Sequence, residues 1–340
     1  MPVTIKDIAK RTGLSPATVS RAINRSGYVS QRARDLVDLA VAELSYQPNW
    51  LARGLKGKPS RLVGLIIPDI LNVFYTNVAQ AIATSLREHG YEMILCVSGD
   101  SQVTDLGYLQ VLEQKRVDGI IYTHPAGPNN SSFVRQLSKR GVPIVELNRR
   151  TEEDLLDAVL ADNFGGAYQA VDYLLSKGHR RIAMICGNPN LTTGKHRIQG
   201  YTTALNHAGF EPEPDLVKIG TFSRDYGEQA TEELLSLAAP PTAIFATSNR
   251  IALGALVVLA RRGVKIPEDL SFIAFDDVEW MSAWRPPITT VDIAVEEMAR
   301  LAVDLLLRRT KSDNDEYKPI TYKLSTKLIE RESCRDLAND

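Results

Sequence analysis

Residues 4–24 read TIKDIAKRTGLSPATVSRAIN, two short helix signals separated by a tight break. Thr4 with Asp7 three residues on makes a capping-box-like start, although the box favours Glu or Gln at that place. Ile5, Ile8 and Ala9 then share one helical face. Gly13 can take the positive φ that ends a helix. Ser15 is a good N-cap, and Pro16 sits at the first helical position, where its missing N–H costs nothing. Ala17, Val19, Ala22 and Ile23 continue the apolar spacing, while Thr18, Ser20, Arg21 and Asn24 point polar groups outward. Two helices joined by about three residues with a glycine describe a helix-turn-helix.

The second helix of such a unit fits the major groove of B-DNA, about 12 Å wide. Its exposed set would be Pro16, Ala17, Thr18, Ser20 and Arg21, with Arg21 a forked donor for guanine O6 and N7. An ordinary helical hairpin is the plain alternative, and charge weighs against it. Residues 1–58 hold ten Lys or Arg against four acids, a net of +6. The whole chain carries −1, so the remaining 282 residues carry −7. A basic head on an acidic body is the electrostatic footprint of a DNA-binding module joined to something else.

At 340 residues two or three folding units are expected. Apolar content of 44% and charged content of 24% are ordinary for a soluble globular protein. No run of about 18 apolar residues predicts a membrane span, and MPVTIKDIAK lacks the apolar core of a secretory leader. Cys96, Cys186 and Cys334 are odd in number and widely spaced, which suits free thiols in a reducing compartment better than a metal site.

Beyond a loop at Gly27–Ser30, Ser30 caps a third helix, QRARDLVDLAVAELS. Its Leu36, Val37, Leu39, Ala40, Val41 and Leu44 form one wide face expected to close over Ile5, Ile8, Val19 and Ile23, with Tyr46 plugging the end. PNWLARGLKGKP at 48–59 reads as a linker or a marginal helix, weakened by Gly54 and stopped by Pro59. From Arg61 onward strand and helix patterns alternate. Apolar runs at 62–68, 91–97, 119–123, 143–147, 158–161, 181–187, 217–221, 243–247 and 270–275 enclose amphipathic stretches. That pattern means parallel sheets covered on both faces. Nine strands suit two successive α/β lobes whose strand C-terminal ends face a shared cleft.

The chain has no Walker A run, no strand-borne GxGxxG, no HExxH and no GxSxG. Asp276-Asp277 after a strand is a weak catalytic signal, and a structural or ligand-binding role suits it better. No catalytic residue, metal or cofactor is expected.

Taken together, these residues resemble the lactose-repressor/galactose-repressor (LacI/GalR) family of bacterial transcription regulators over nearly the whole chain. The resemblance rests on residues 3–24 and YQPNWLARGLKGK at 46–58. Further carriers are VGLIIPDILNVFYTNV at 63–78 and DNFGGAYQAVDYLLSKGHRRIAMICG at 162–187. PTAIFATSNRIALGAL at 241–256 and GVKIPEDLSFIAFDD at 263–277 complete it. It implies a three-helix head at 1–47, a hinge helix at 48–60, and a two-lobed periplasmic-binding-protein-like core. The first lobe would span 61–161 plus 293–320, the second 162–292 plus 321–333, with a tail at 334–340.

The resemblance further implies a cytoplasmic homodimer reading a near-palindromic operator. Thr4, Ser15, Pro16, Ala17, Thr18, Ser20, Arg21 and Asn24 would contact DNA. Asn49, Ala52, Arg53 and Leu55 would do so from the hinge, with Leu55 wedged into a minor-groove base step. A small-molecule effector would lie between the lobes against Asp69, Asn72, Phe74, Asn148, Thr193, Arg197, Phe222, Ser248, Asn249 and Asp276. These side chains suit a polyhydroxylated ligand. Ser248-Asn249 stands where many members carry Asn-Asp, and Lys195, His196 and Arg197 are adjacent, which points to a sugar acid as readily as a sugar. The implied role is a repressor of a catabolic operon. The alternatives are a co-regulator-dependent regulator of the same family, a periplasmic-type solute-binding protein, and a sugar-metabolising enzyme with a DNA-binding head.

Overall fold

The computed structural model describes residues 3–23, 25–46, 59–127, 130–151, 155–310 and 318–338. The chain divides into two compact units, Met1–Ser60 and Arg61–Asp340.

In the first unit the local signals are used as the sequence spaces them. Helix α1 spans Ile5–Thr12, α2 spans Pro16–Ile23 and α3 spans Gln31–Glu43. The Thr4 N–H and hydroxyl both donate to Asp7 Oδ2, at 2.8 and 2.7 Å. Gly13 closes α1 at φ 70°, and Ser15 Oγ accepts the Thr18 N–H at 3.1 Å. Ile8, Val19 and Val37 are fully buried, and Ile5, Ile23, Val41, Leu44 and Tyr46 pack around them. Leu36 and Leu39 are corrections to the expected wide face, being 43% and 62% exposed. Ala33, Val37, Ala40, Val41 and Leu44 already form a complete i, i+3/i+4 stripe, and two short helices cannot cover its flanks.

The second unit holds two six-stranded sheets built to one plan. Its elements run β1 (Leu62–Ile67), α4 (Val73–Glu88), β2 (Glu92–Val97), α5 (Gln102–Gln114), β3 (Gly119–Tyr122), α6 (Ser131–Lys139), β4 (Ile144–Leu147) and β5 (Asp157–Ala161). There follow α7 (Asn163–Ser176), β6 (Ile182–Cys186), α8 (Thr192–His207), β7 (Val217–Ile219), α9 (Arg224–Leu235), β8 (Ala243–Ala246), α10 (Asn249–Arg262) and β9 (Ser271–Phe275). The last are α11 (Glu279–Ala283), β10 (Thr289–Ile293), α12 (Val295–Arg309), β11 (Thr321–Leu324) and β12 (Thr326–Ile329). One sheet orders its strands β11-β5-β4-β3-β1-β2, the other β12-β10-β9-β8-β6-β7. Every strand pairing among the described residues is parallel except β10 with β12. Central strands such as β3, β4, β8 and β9 are buried throughout, which is why they read as continuous apolar runs.

The expected lobe boundaries need one change. The C-terminal strand assigned whole to the second lobe is two strands. Thr321–Leu324 pairs with β5 in the first sheet, and only Thr326–Ile329 joins the second. Tyr322 and Leu324 pack on the core, so alternation sets this edge strand rather than a solid apolar run. The chain therefore passes between the lobes three times, at Asp162, Ala294 and Ser325, with one residue between elements at each crossing. The crossings lie side by side: the Asp162 N–H donates to Leu324 O at 2.7 Å, and the Thr326 hydroxyl donates to Asp162 O at 3.3 Å. The stretch expected as a tail is docked as far as it is described. The Arg335 N–H donates to Ser271 Oγ at 3.0 Å, and the Leu337 N–H to Lys177 O at 2.7 Å. Among the described residues no helix is long and apolar enough to cross a membrane.

Candidate functional site

On the head, Thr4, Ser15, Pro16, Ala17 and Arg21 are exposed, while Thr18 and Ser20 are half-buried. Thr18 is also partly committed, its Oγ1 lying 2.9 Å from Ser15 Oγ. Asn24 and the hinge residues Asn49, Ala52, Arg53 and Leu55 lie outside the described residues.

In the core, the C-terminal strand ends of the two sheets meet in a narrow inner cleft. Equivalent strands end in the same device. Asn148 follows β4 at φ 59° and Asp276 follows β9 at φ 73°. Their N–H groups donate to matching carbonyls of the neighbouring strand, Val159 O at 2.8 Å and Val291 O at 3.0 Å. A non-glycine residue in the left-handed region costs about 1–2 kcal/mol, least for Asn and Asp, and here it turns a polar side chain into the cleft.

Eight of the ten anticipated ligand residues line this cleft: Asn72, Phe74, Asn148, Thr193, Arg197, Phe222, Ser248 and Asp276. Asn249 lies just behind, its backbone N–H and amide both donating to Asp276 Oδ2, at 3.1 and 2.9 Å. Asp69 does not line it; its Oδ2 lies 3.6 Å from Arg250 Nε. Tyr75 and Arg149 line the cleft and were not anticipated. Their signal was available, since Tyr75 follows Phe74 in the helix and an arginine directly after a strand-end asparagine is out of place in a plain core.

The cleft is nearly closed and its charged groups are already engaged, while Asn148 Oδ1, Thr193 Oγ1 and Arg149 Nε make no hydrogen bond among the described residues. Its volume is about 20 Å³, room for roughly one water. Arg197 donates from Nε to Asn163 Oδ1 at 2.8 Å and from Nη1 to Thr247 O. Its guanidinium lies 3.6 Å from the Phe275 ring centroid and 4.0 Å from Asp276 Oδ1. Burial lowers the Arg197 pKa, with Asp276 opposing. From the other lobe, Arg149 Nη1 binds Asp100 at 2.5 Å and the His124 carbonyl at 3.2 Å. Bonds also cross between lobes. The Asn249 amide donates to Asn72 Oδ1 at 2.7 Å, and the Arg150 N–H to Thr192 Oγ1 at 3.3 Å.

Adjacency in sequence misleads at Lys195, His196 and Arg197. Successive helical residues are about 100° apart, and only Arg197 reaches the inner cleft. His196 lies near Lys323 and Asp162 by the crossings, and Lys195 faces a separate, outer opening. Among the described residues no three His, Cys, Asp or Glu side chains gather to hold a metal.

Comparison with known proteins agrees with both units. A family profile described as "Bacterial regulatory proteins, lacI family" matches residues 4–49. One described as "Periplasmic binding proteins and sugar binding domain of LacI family" matches residues 60–329. The HTH-type transcriptional repressor PurR of Vibrio atlanticus is 31% identical over 336 residues, covering 98% of this chain and 99% of the relative. Among solved structures, the Lac repressor dimer bound to operator and the anti-inducer ONPF superposes with a TM-score of 0.85 at 25% identity, covering 98% of this chain and 100% of that one. The transcriptional regulator CelR–cellobiose complex gives 0.74 at 32% identity, covering 97% and 99%. These matches span both the reading head and the cleft-bearing core, so the chain belongs to the LacI family of bacterial DNA-binding transcriptional repressors and is not an enzyme.

Proposed function

We propose that the protein is a cytoplasmic homodimeric repressor of a catabolic operon, reading a near-palindromic operator and answering to a sugar or sugar acid bound between its lobes. The observation that carries the effector part is the inner cleft. Eight residues from both lobes converge there with carboxylate, guanidinium, amide, hydroxyl and aromatic groups in one place. Asp276 is an acceptor for paired hydroxyls, Arg197 and Asn148 serve ring oxygens and hydroxyls, and Phe74 and Phe222 cover an apolar sugar face. The similar CelR is known in complex with cellobiose, and the similar Lac repressor as an operator-bound dimer.

For the head, Arg21 is the base-reading donor, Ser15, Pro16 and Ala17 present the α2 start to base edges and phosphates, and Leu55 is the minor-groove wedge. Two heads on one dimer would read half-sites related by its two-fold axis.

The test starts with selection of bound duplexes from a random pool, followed by anisotropy titration of the recovered operator in the presence of sugars and sugar acids. One compound is expected to change operator affinity at least about tenfold in the wild type, a coupling of about 1.4 kcal/mol, and to leave Asp276→Asn unmoved. A panel that changes nothing, or that acts equally on Asp276→Asn, removes the cleft as the control site. Leu55→Ala should weaken operator binding with effector binding intact; unchanged operator affinity removes the wedge.

A further inference from the structure

Beside the inner cleft lies an outer chamber of about 670 Å³, within the range of small-molecule sites. It is bounded by the first lobe at His124, Ser131, Ser132, Arg135 and Arg149–Thr151, and by the second at Pro189–Thr192 and Lys195. Arg149 lines both spaces and forms the partition between them. Among the described wall residues, four are cations and none is a carboxylate. Two carboxylates stand behind the wall: Asp100 binds Arg149, and Glu146 lies 4.0 Å from Arg150 Nε and 3.7 Å from His124 Nε2. Glu152, Glu153 and Asp154 follow Thr151 in sequence and lie outside the described residues. Apart from His124 the described wall has no aromatic side chain to stack on a sugar face.

Two helix starts add to the positive field. Ser131 and Ser132 open α6, and Thr192 opens α8. Neither helix has a side-chain cap: Leu191 has no acceptor, and the Asn130 amide donates instead to Gln102 O and Asp105 Oδ2, both at 2.8 Å. Uncapped N–H groups and the positive ends of helix dipoles favour anions. A further, independent observation is Arg149 itself. It is 4% exposed, yet its Nε has no hydrogen-bond partner, so a donor is held buried at the edge of the chamber. A buried unpaired donor costs about 1–3 kcal/mol, a penalty that an acceptor in the chamber would relieve.

We propose that the outer chamber is an anion subsite, holding the phosphate or carboxylate end of an effector whose polyhydroxylated part occupies the inner cleft. This deepens the cleft-effector reading and rests on it. It assigns the anionic group to Arg135, Arg149, Arg150 and Lys195. Arg197 is outside this set, because it lines the inner cleft and not the outer chamber.

The test uses scanning calorimetry of the full chain in inorganic phosphate, in malonate and in chloride at matched ionic strength. Phosphate or malonate is expected to raise the midpoint of the core transition above that in chloride, as any ligand of the folded state does. Arg135→Gln/Lys195→Gln should weaken that anion's Kd about tenfold or more, and Ser132→Glu, which adds a carboxylate at an exposed wall position, should do the same if the double variant folds poorly. Asp276→Asn, confined to the inner cleft, should keep the anion shift. A shift with phosphate alone identifies a phosphorylated effector, and one with malonate alone or with both identifies a carboxylate. No shift in either anion, or an equal shift in the chamber variants, overturns the subsite. The sugar panel of the preceding section is read separately, so an anion shift without any cleft effector would sink that reading and leave the chamber standing.

Discussion

Replacing Asp276 with Asn removes a charge from the inner cleft while changing little else. Asn has the same shape, tolerates the left-handed conformation that Asp276 holds at φ 73°, and keeps an oxygen for the two Asn249 donors. What it loses is the counter-charge to Arg197, whose Nη2 lies 4.0 Å away with both side chains about 95% buried. At an effective dielectric near 20 that attraction is about 4 kcal/mol. Stranding one member of a buried pair usually costs about 3–5 kcal/mol, because the remaining charge has no compensation. A loss of about 3 kcal/mol is expected, or roughly 6–12 °C in the midpoint of a core this size. Arg197→Met alone should cost a similar amount, since it strands Asp276 and the Asn163 and Thr247 acceptors. The double variant has no buried charge to strand, so it should be more stable than the sum of the singles by about 2–4 kcal/mol. Urea titration followed by tryptophan fluorescence reads this, because Trp280 and Trp284 pack on the second-lobe core. Additivity within about 0.5 kcal/mol would mean that the two charges do not sense each other, and the electrostatic account of the cleft would fail.

Three further outcomes follow from local geometry. Burial, with Arg149 adding to it, holds the His124 pKa down at about 4, against about 6.5 unfolded. Below about pH 6.5 the unfolded chain takes up a proton that the folded chain refuses, so stability is lost as pH falls from about 6.5 to about 4, by up to roughly 3 kcal/mol; His124→Asn should flatten that part of the urea-midpoint profile, and coincident profiles would refute the assignment. At Gly200 a Cβ would meet Phe164 O at 2.4 Å and Tyr168 N at 2.9 Å, backbone atoms of α7 that cannot step aside; Gly200→Ala should destabilise the core by about 1–3 kcal/mol in calorimetry, and a neutral result would show that the two helices can part freely. Ser15→Ala removes the acceptor for the Thr18 N–H and should cost the head about 1 kcal/mol, seen as weaker operator binding with an unchanged core transition.

The head was legible because its instructions are local. Thr4, Gly13, Ser15 and Ser30 act within four residues of themselves, and each is found where its spacing puts it. Most of the first nine strands were legible because burial on both faces makes them continuous apolar runs, and the half-exposed edge strands β2 and β7 still carry enough apolar residues to read as strands. The three last strands were not of that kind. In β10, Thr289 and Thr290 are fully buried, with the Thr290 hydroxyl donating to Asp277, so polar letters fill core positions. β11 and β12 share one short segment, yet one joins the first sheet parallel to β5 and the other the second sheet antiparallel to β10, a long-range choice that no local pattern encodes. The cleft was legible through resemblance, and its exceptions have physical causes. Asp69 is drawn away to Arg250, Lys195 is rotated out of the cleft by helix geometry, and Arg149 is held in by Asp100, 49 positions earlier in the chain.

A cleft of about 20 Å³ whose charged groups already have partners cannot accept a sugar ring without opening. What it must give up first is the set of bonds that span the lobes: Asn249 to Asn72, Arg150 to Thr192, and the Asp69–Arg250 ion pair. Each of these joins an element of one sheet to an element of the other, beside packing contacts such as Val73 on the second-lobe core and the single-residue crossings at Asp162, Ala294 and Ser325. Ligand entry and lobe separation are therefore one event. The free energy available to shift the lobes is only the difference between what the ligand gains and what those bonds were contributing. A neutral monosaccharide that merely replaced them would bind with little net gain. A ligand with a second, charged end in the outer chamber adds an interaction that nothing in the closed cleft already supplies. By that reasoning, Arg250→Met, which breaks the interlobe pair with Asp69 without removing a cleft-lining side chain, should tighten effector binding while weakening the coupling between effector and operator. An Arg250→Met protein with unchanged effector affinity would show that the clasp is not what the ligand has to open.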